Sequence, residues 1–250
     1  MIAFISDLHS NMEAIDAVMR DIEAQGIERI ICLGDVIGYG PEPRAALLRA
    51  MEFELTLLGN HEAAVLYYAE DFNEKARIAL EWTREQLNST AAPKDENYRL
   101  WGFLGDLPES HRLENALLVH GSPRDPVREY MLPRDAADTA KMQDVFAKMD
   151  RDFCFVGHSH VPGAYPDSGG FLPPAKLPDG VRRTPGRKVV VNIGSVGQPR
   201  DGDNRASYVT FDGDTVRFRR VPYDFPTTMQ KIVATGVLPR YLADRLKVGK

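Results

Sequence analysis

Eight short runs of apolar and β-branched residues limit most strongly how this chain can fold: 2–6, 29–33, 54–58, 116–119, 153–156, 188–191, 207–211 and 215–221. The earlier runs are apolar almost without interruption, which predicts strands buried on both faces rather than strands with one wet side. Five of them lead straight into Asp, Asn, His or Gly, as in Ser6-Asp7-Leu8-His9, Leu33-Gly34-Asp35, Leu58-Gly59-Asn60-His61, Val119-His120-Gly121 and Val156-Gly157-His158-Ser159-His160.

Helical patterns lie between the runs. Met12, Ile15, Val18, Met19 and Ile22 make one stripe at helical spacing, with Ser10 and Glu13 as its expected capping box. Ala76, Ala79, Leu80, Thr83 and Leu87 make a second, and Met142, Val145, Phe146 and Met149 a third. Core packing accounts for the Met and aromatic positions in these stripes. Strand and helix alternate through about residue 160, which implies α/β layering. After Lys188 the strands follow one another through short turns such as Asp212-Gly213-Asp214, which predicts antiparallel pairing. A sandwich of sheets flanked by helices satisfies both halves.

The segment 163–187 carries five Pro and five Gly, so it reads as a loop or loose hairpin draped near the site. At the other end, 226–246 reads as two amphipathic helices packed on the body of the protein, with a surface that a second copy of the chain can use. No repeat or linker is visible, and residues 1–250 read as one domain.

A formal net charge of −5 supplies no basic field of the kind that non-specific nucleic-acid binders use. Small substrates fit better than long polynucleotides. Cys32 and Cys154 each sit inside an apolar run and read as buried thiols rather than a disulfide, consistent with a reducing compartment. The first residues show no basic leader or cleavage pattern, and no apolar run is long enough to span a bilayer, so a cytoplasmic protein is expected.

Five of the six histidines, His9, His61, His120, His158 and His160, stand just beyond a predicted strand, whereas His111 reads as a surface residue. In open α/β sheets the carboxyl ends of the strands form the ligand crevice. Carboxylates, a carboxamide and imidazoles crowded there are costly to leave unpaired, and divalent cations relieve that cost. In Asp7-x-His9 and His158-x-His160, residues two apart in an extended strand project to one side, so each pair is expected to chelate. The glycines at 34, 59, 121 and 157 are expected to let backbone approach an ion or phosphate closely. Asn11, Arg124 and Arg200 are candidate substrate contacts, the arginines because guanidinium matches phosphate geometry.

Taken in order, these blocks resemble the calcineurin-like metallophosphoesterase superfamily. The resemblance rests on Asp7-Leu8-His9, Gly34-Asp35-Val36-Ile37-Gly38-Tyr39-Gly40-Pro41, Gly59-Asn60-His61-Glu62, Val119-His120-Gly121 and Gly157-His158-Ser159-His160. It extends through Asn192-Ile193-Gly194-Ser195-Val196-Gly197-Gln198-Pro199-Arg200, which resembles the late block of small bacterial and archaeal members.

The resemblance implies a four-layer α/β/β/α sandwich of two mixed sheets and a dinuclear centre. One metal would take Asp7, His9 and His160, the other Asn60, His120 and His158, with Asp35 bridging. It also implies that His61 assists the leaving group while a hydroxide between the metals attacks phosphorus in line. The expected ions are Mn first, then Fe, Zn, Ni or Co. Gly38-Tyr39-Gly40-Pro41-Glu42-Pro43 stands where phosphoprotein phosphatases carry Asp-Arg-Gly, which disfavours a protein-phosphatase reading. The alternatives are a nuclease of the same superfamily and a non-catalytic scaffold on this fold.

Overall fold

Strand side chains alternate between faces, and that alternation decides the layering. In the computed structural model, which describes residues 1–67 and 72–250, strand β1 (Ile2–Ile5) sends Ile2 and Phe4 into one apolar cluster and Ala3 and Ile5 into another. There follow α1 (Met12–Ala24), β2 (Arg29–Cys32), α2 (Pro43–Ala50), β3 (Leu55–Thr56), α3 (Asn60–Leu66), α4 (Glu74–Leu87) and α5 (Lys94–Gly105). Next come β4 (Ser110–Arg112), β5 (Ala116–Val119), α6 (Thr139–Lys148), β6 (Phe153–Val156), β7 (Gly163–Pro166), β8 (Val181–Arg182) and β9 (Val189–Asn192). The chain continues with β10 (Ala206–Phe211), β11 (Thr215–Val221), α7 (Phe225–Ala234) and α8 (Arg240–Val248).

One sheet has the order β3-β2-β1-β10-β11-β8 and the other β4-β5-β6-β9-β7. Within them β1, β2 and β3 run parallel, as do β5, β6 and β9, and the remaining pairs are antiparallel. Ile2, Phe4, Ile31, Leu118, Phe153, Phe155 and Phe211, drawn from both sheets, form the cluster between them. Ala3, Ile5 and Cys32 face Ile15, Val18, Leu47 and Leu80 instead. On the far side, Leu117, Val119, Cys154 and Val156 meet Met142, Val145 and Met149. The layers therefore run helix, sheet, sheet, helix, the α/β/β/α order that the family resemblance implies.

Several local expectations are corrected. Helix α1 is capped by Asn11, whose Oδ1 accepts from the Ala14 N–H at 3.2 Å, and not by Ser10. Ser10 is held at φ +54°, and Glu13 turns away to Thr228 and Lys231, so the capping box does not form. The run at 188–191 does not pair with the strands that follow it: β9 lies between β6, parallel, and β7, antiparallel, and the following segment crosses to the other sheet before β10 begins. Only β10 and β11 form the hairpin through Asp212-Gly213-Asp214. The stretch 163–187 is more ordered than its composition suggests. It lays β7 along β9 and β8 along β11, where backbone pairing at a sheet edge tolerates Pro166.

His111 is exposed on edge strand β4, and both cysteines are buried and unpaired. Among the described residues no helix is long and apolar enough to cross a membrane.

Phe4 anchors the inter-sheet layer, its ring centroid 4.4 Å from that of Phe155 and 5.9 Å from that of Phe211. Replacing a buried Phe by Ala costs about 3–5 kcal/mol. Phe4→Ala is expected to lower the unfolding free energy by that amount in denaturant titration, and a loss below about 1 kcal/mol would show that this layer is not what joins the sheets.

Candidate metal centre

Parallel pairing brings the carboxyl ends of β1, β2 and β3 to one edge of their sheet, and those of β5 and β6 to one edge of the other. Asp7 and His9 follow β1, Asp35 follows β2, Asn60 opens α3 just after β3, His120 follows β5, and His158 and His160 follow β6. Backbone bonds stitch these loops together: Asp7 N–H to Gly34 C=O, His9 N–H to Asp35 C=O and Gly157 N–H to His120 C=O, each 3.0 Å.

Two groups of buried donors result. Asp7, His9, Asp35 and His160 place one ligand atom each within 4.8 Å of one another, and Asp35, His120 and His158 do the same. Asn60 Oδ1 lies 3.0 Å from His120 Nε2, at the second group. Asp35 belongs to both: its Oδ2 is 3.3 Å from His120 Nε2 and 3.8 Å from His9 Nε2. The sequence pairs divide unequally, since Asp7 and His9 share a group whereas His158 and His160 serve different ones.

Hydrogen bonding sets the tautomers. A ring nitrogen facing a carbonyl oxygen must carry a proton, which in a neutral imidazole leaves the lone pair on the other nitrogen. His9 Nδ1–H donates to Ile37 C=O at 3.1 Å, His120 Nδ1–H to Leu33 C=O at 3.0 Å and His160 Nδ1–H to Gln198 C=O at 2.6 Å, whereas His158 donates through Nε2 to Arg128 C=O at 3.0 Å. His9 and His160 then meet Nε2 to Nε2 at 3.1 Å, lone pair against lone pair, with Asp7 Oδ1 also 3.1 Å from His160 Nε2. Three acceptors at such distances call for a cation, so the donor set fits a divalent metal.

Protonation follows the same geometry. Burial, reinforced by neighbouring positive charge, holds His9 and His160 well below the ordinary imidazole value, and burial brings His158 down to about 3. Burial works against the Asp35 carboxylate, but His120 and then His61 outweigh it and keep it ionised. Burial likewise opposes charge on His120, which Asp35 nonetheless raises to about 9. A metal cation on those two groups would take over the role of that proton. His61 is lowered to about 4 by burial, and its Nδ1 is buried with no hydrogen-bond partner among the described residues.

The loops reach this arrangement through unusual backbone. All seven non-glycine residues with positive φ among the described residues, Asp7, His9, Ser10, Asp35, Tyr39, His158 and His160, lie in them. The left-handed region costs an L-residue roughly 1–2 kcal/mol, a strain that collects at functional sites. Asp7-x-His9 and His158-x-His160 are therefore not extended, and their strands end before the pairs begin. The glycines also act differently from expectation. A Cβ on Gly59 would stand 2.2 Å from Asp35 Oδ1, and one on Gly157 2.5 Å from Asp7 Oδ2. They let ligand loops approach each other.

Residues 192–200 brace the centre from behind. Ser195 Oγ–H donates to Asp7 C=O at 2.8 Å, Asn192 Nδ2–H to Gly157 C=O at 2.7 Å, and Gln198 supplies the carbonyl that orients His160. Glu62, fully buried, accepts the N–H groups of Asp35, Ile37 and Gly59 at 2.8, 3.1 and 3.0 Å and so ties two ligand loops together. Burial and the Asp35 charge push its carboxyl up to about 7.

The remaining sequence candidates separate. His61 lies against the centre, its Nε2 3.9 Å from Asp35 Oδ2 and its ring 4.7 Å from that of His9. Arg200 is close as well: it lies over Tyr39 with Cζ 5.8 Å from the ring centroid, donates to Gln198 Oε1 at 2.7 Å and lowers the His160 pKa through its charge. Asn11 is spent on structure, since its Nδ2–H donates to Gly197 C=O at 2.8 Å and its Oδ1 also accepts from Thr228 Oγ at 2.9 Å. Arg124 gives its fork to Glu129 and Asp144 rather than to the donor groups.

Sequence reasoning missed Arg245 in α8. Burial and the charge of Arg200 lower its pKa to about 10, and its charge reaches His160. A basic residue in the last turn of a helix is ordinary, so nothing in the sequence marked it. Tyr130, stacked on His158 with centroids 3.7 Å apart, was likewise unmarked.

Residues 1–215 match the model of the calcineurin-like phosphoesterase superfamily domain. An uncharacterized protein of Methanocaldococcus jannaschii, MJ0912, is 38% identical over 262 residues, covering 100% of this chain and 98% of the relative. The crystal structure of a metallophosphoesterase from Sphaerobacter thermophilus superposes with a TM-score of 0.81 at 34% identity, covering 100% of this chain and 98% of that one. The fold is also that of the hypothetical protein PH1004 from Pyrococcus horikoshii OT3, with TM-score 0.73, 21% identity and coverage of 100% and 99%. Matched over most of its length and bearing buried Asp and His donors at the edges of two facing sheets, the chain belongs to the calcineurin-like phosphoesterase superfamily of metal-dependent hydrolases.

Proposed function

We propose that this chain hydrolyses a small phosphate mono- or diester with two divalent cations, Mn first among Mn, Fe, Zn, Ni and Co. Asp7, His9 and His160 would hold one, and Asn60, His120 and His158 the other, with Asp35 shared. The observation that carries this reading is the approach of two lone-pair nitrogens, His9 Nε2 and His160 Nε2, at 3.1 Å beside Asp7. Bound there, the cations would supply an activated water and charge neutralisation for in-line displacement at phosphorus. A net charge of −5 favours small substrates over polynucleotides, and two buried free thiols suit the cytoplasm.

The chain's own residues do the rest. His61, neutral and against the centre, donates an N–H to the leaving oxygen. Arg200, backed by Gln198 and reinforced by Arg245, grips the non-bridging oxygens. Arg124 and Asn11 drop out because their hydrogen-bonding groups are already engaged.

His61→Ala is expected to cut turnover by about 10²–10⁴-fold while metal content is retained, and parallel loss of both would remove the role assigned to His61. Arg200→Ala lowers kcat/KM for a chromogenic phosphodiester whereas Arg124→Ala leaves it unchanged; the reverse order would exchange their assignments. Titration with Mn²⁺ is expected to saturate at two ions per chain. At a free ion concentration about 100 times Kd each ion adds about 2.7 kcal/mol to stability, which dialysis against a chelator reverses. Saturation at a single ion would sink the dinuclear reading.

A further inference from the structure

A cavity of about 290 Å³ opens beside the second donor group. Asn60 and His158 form part of its wall, so whatever fills it sits next to a phosphate bound at the centre. Three further lining residues, Tyr39, Phe72 and Tyr130, are aromatic. Each is seated against an imidazole of the centre. Tyr130 stacks on His158 at an interplanar angle of 21°, Phe72 meets His61 edge-on with centroids 5.1 Å apart, and Tyr39 meets His61 edge-on at 4.4 Å. Asn73 and Arg128 add polar groups to the lining.

We infer that this cavity receives a planar aromatic ring carried by the organic group of the substrate, so that the ester hydrolysed is an aryl or nucleobase-bearing phosphate. The assignment rests on reading the adjacent donors as the phosphate site. An aliphatic group of equal size gains only apolar contact, whereas a flat ring also gains offset or edge-to-face contacts with the three aromatic side chains. Size limits the occupant further. Cavities for drug-sized ligands span roughly 300–1,000 Å³, so this one suits a single ring system and not a polymer segment.

Calorimetry on the Mn²⁺-loaded protein with benzylphosphonate and cyclohexylmethylphosphonate isolates the ring, because the two share charge and size and neither has a hydrolysable ester bond. Benzylphosphonate is expected to bind at least about threefold more tightly, and the preference to shrink in Tyr130→Ala and, independently, in Phe72→Ala. Equal affinities in the wild type, a preference untouched in both variants, or no binding of either phosphonate would overturn the inference. Competition against benzylphosphonate by cytidine but not by ribose assigns the ring to a nucleobase, and failure of cytidine to compete assigns it to an aryl ester. Failure to hydrolyse both phenyl phosphate and diphenyl phosphate while the phosphonate preference persists would remove the hydrolytic reading and leave the ring site standing.

Discussion

Electron pairs forced together at buried positions govern this molecule. His9, His160 and Asp7 point acceptors at one another in buried positions, and beside them Asp35 holds a proton on His120. Such an arrangement opposes folding unless positive charge enters. The carbonyls of Ile37 and Gln198 fix the tautomers of His9 and His160 and deny these two imidazoles the option of turning an N–H inward. The surrounding protein thus enforces the conflict that a cation resolves.

Most of the layering was legible in the sequence because it rests on period. Residues at 2, 4, 153 and 155 fill the middle layer and their neighbours the two outer ones, and apolar runs of four or five residues report burial on both faces. The donor residues were legible for a related reason: a strand that ends on Asp or His in a parallel sheet has one place to deliver it. Less visible were elements stabilised by backbone pairing alone. Strands β7 and β8 lie in a Pro- and Gly-rich segment whose side chains carry no alternating pattern, and short helices such as α2 and α3 span too few turns to show a stripe.

Local direction was hidden too. Alternation predicts where side chains point only while the chain remains extended, and the ligand pairs lie past the strand ends in left-handed backbone. Function among polar residues was also opaque, for a related reason. Arg124 and Arg200 look equivalent in sequence, but one faces two carboxylates and the other a carboxamide and an aromatic ring. Partners decide what a guanidinium is free to do, and partners come from distant segments.

The brace behind the centre has a consequence for biogenesis. Ser195 holds the carbonyl of Asp7 across 188 positions of chain, and Gly197 receives the amide of Asn11 across 186. Contacts of such separation are slow to form, because a long loop must close before they repay its entropy. A polypeptide emerging from the ribosome therefore carries its first ligands for most of its synthesis without the segment that holds them in place. Tight ion capture then belongs to the finished fold, and the nascent amino-terminal portion is spared from sequestering metal prematurely.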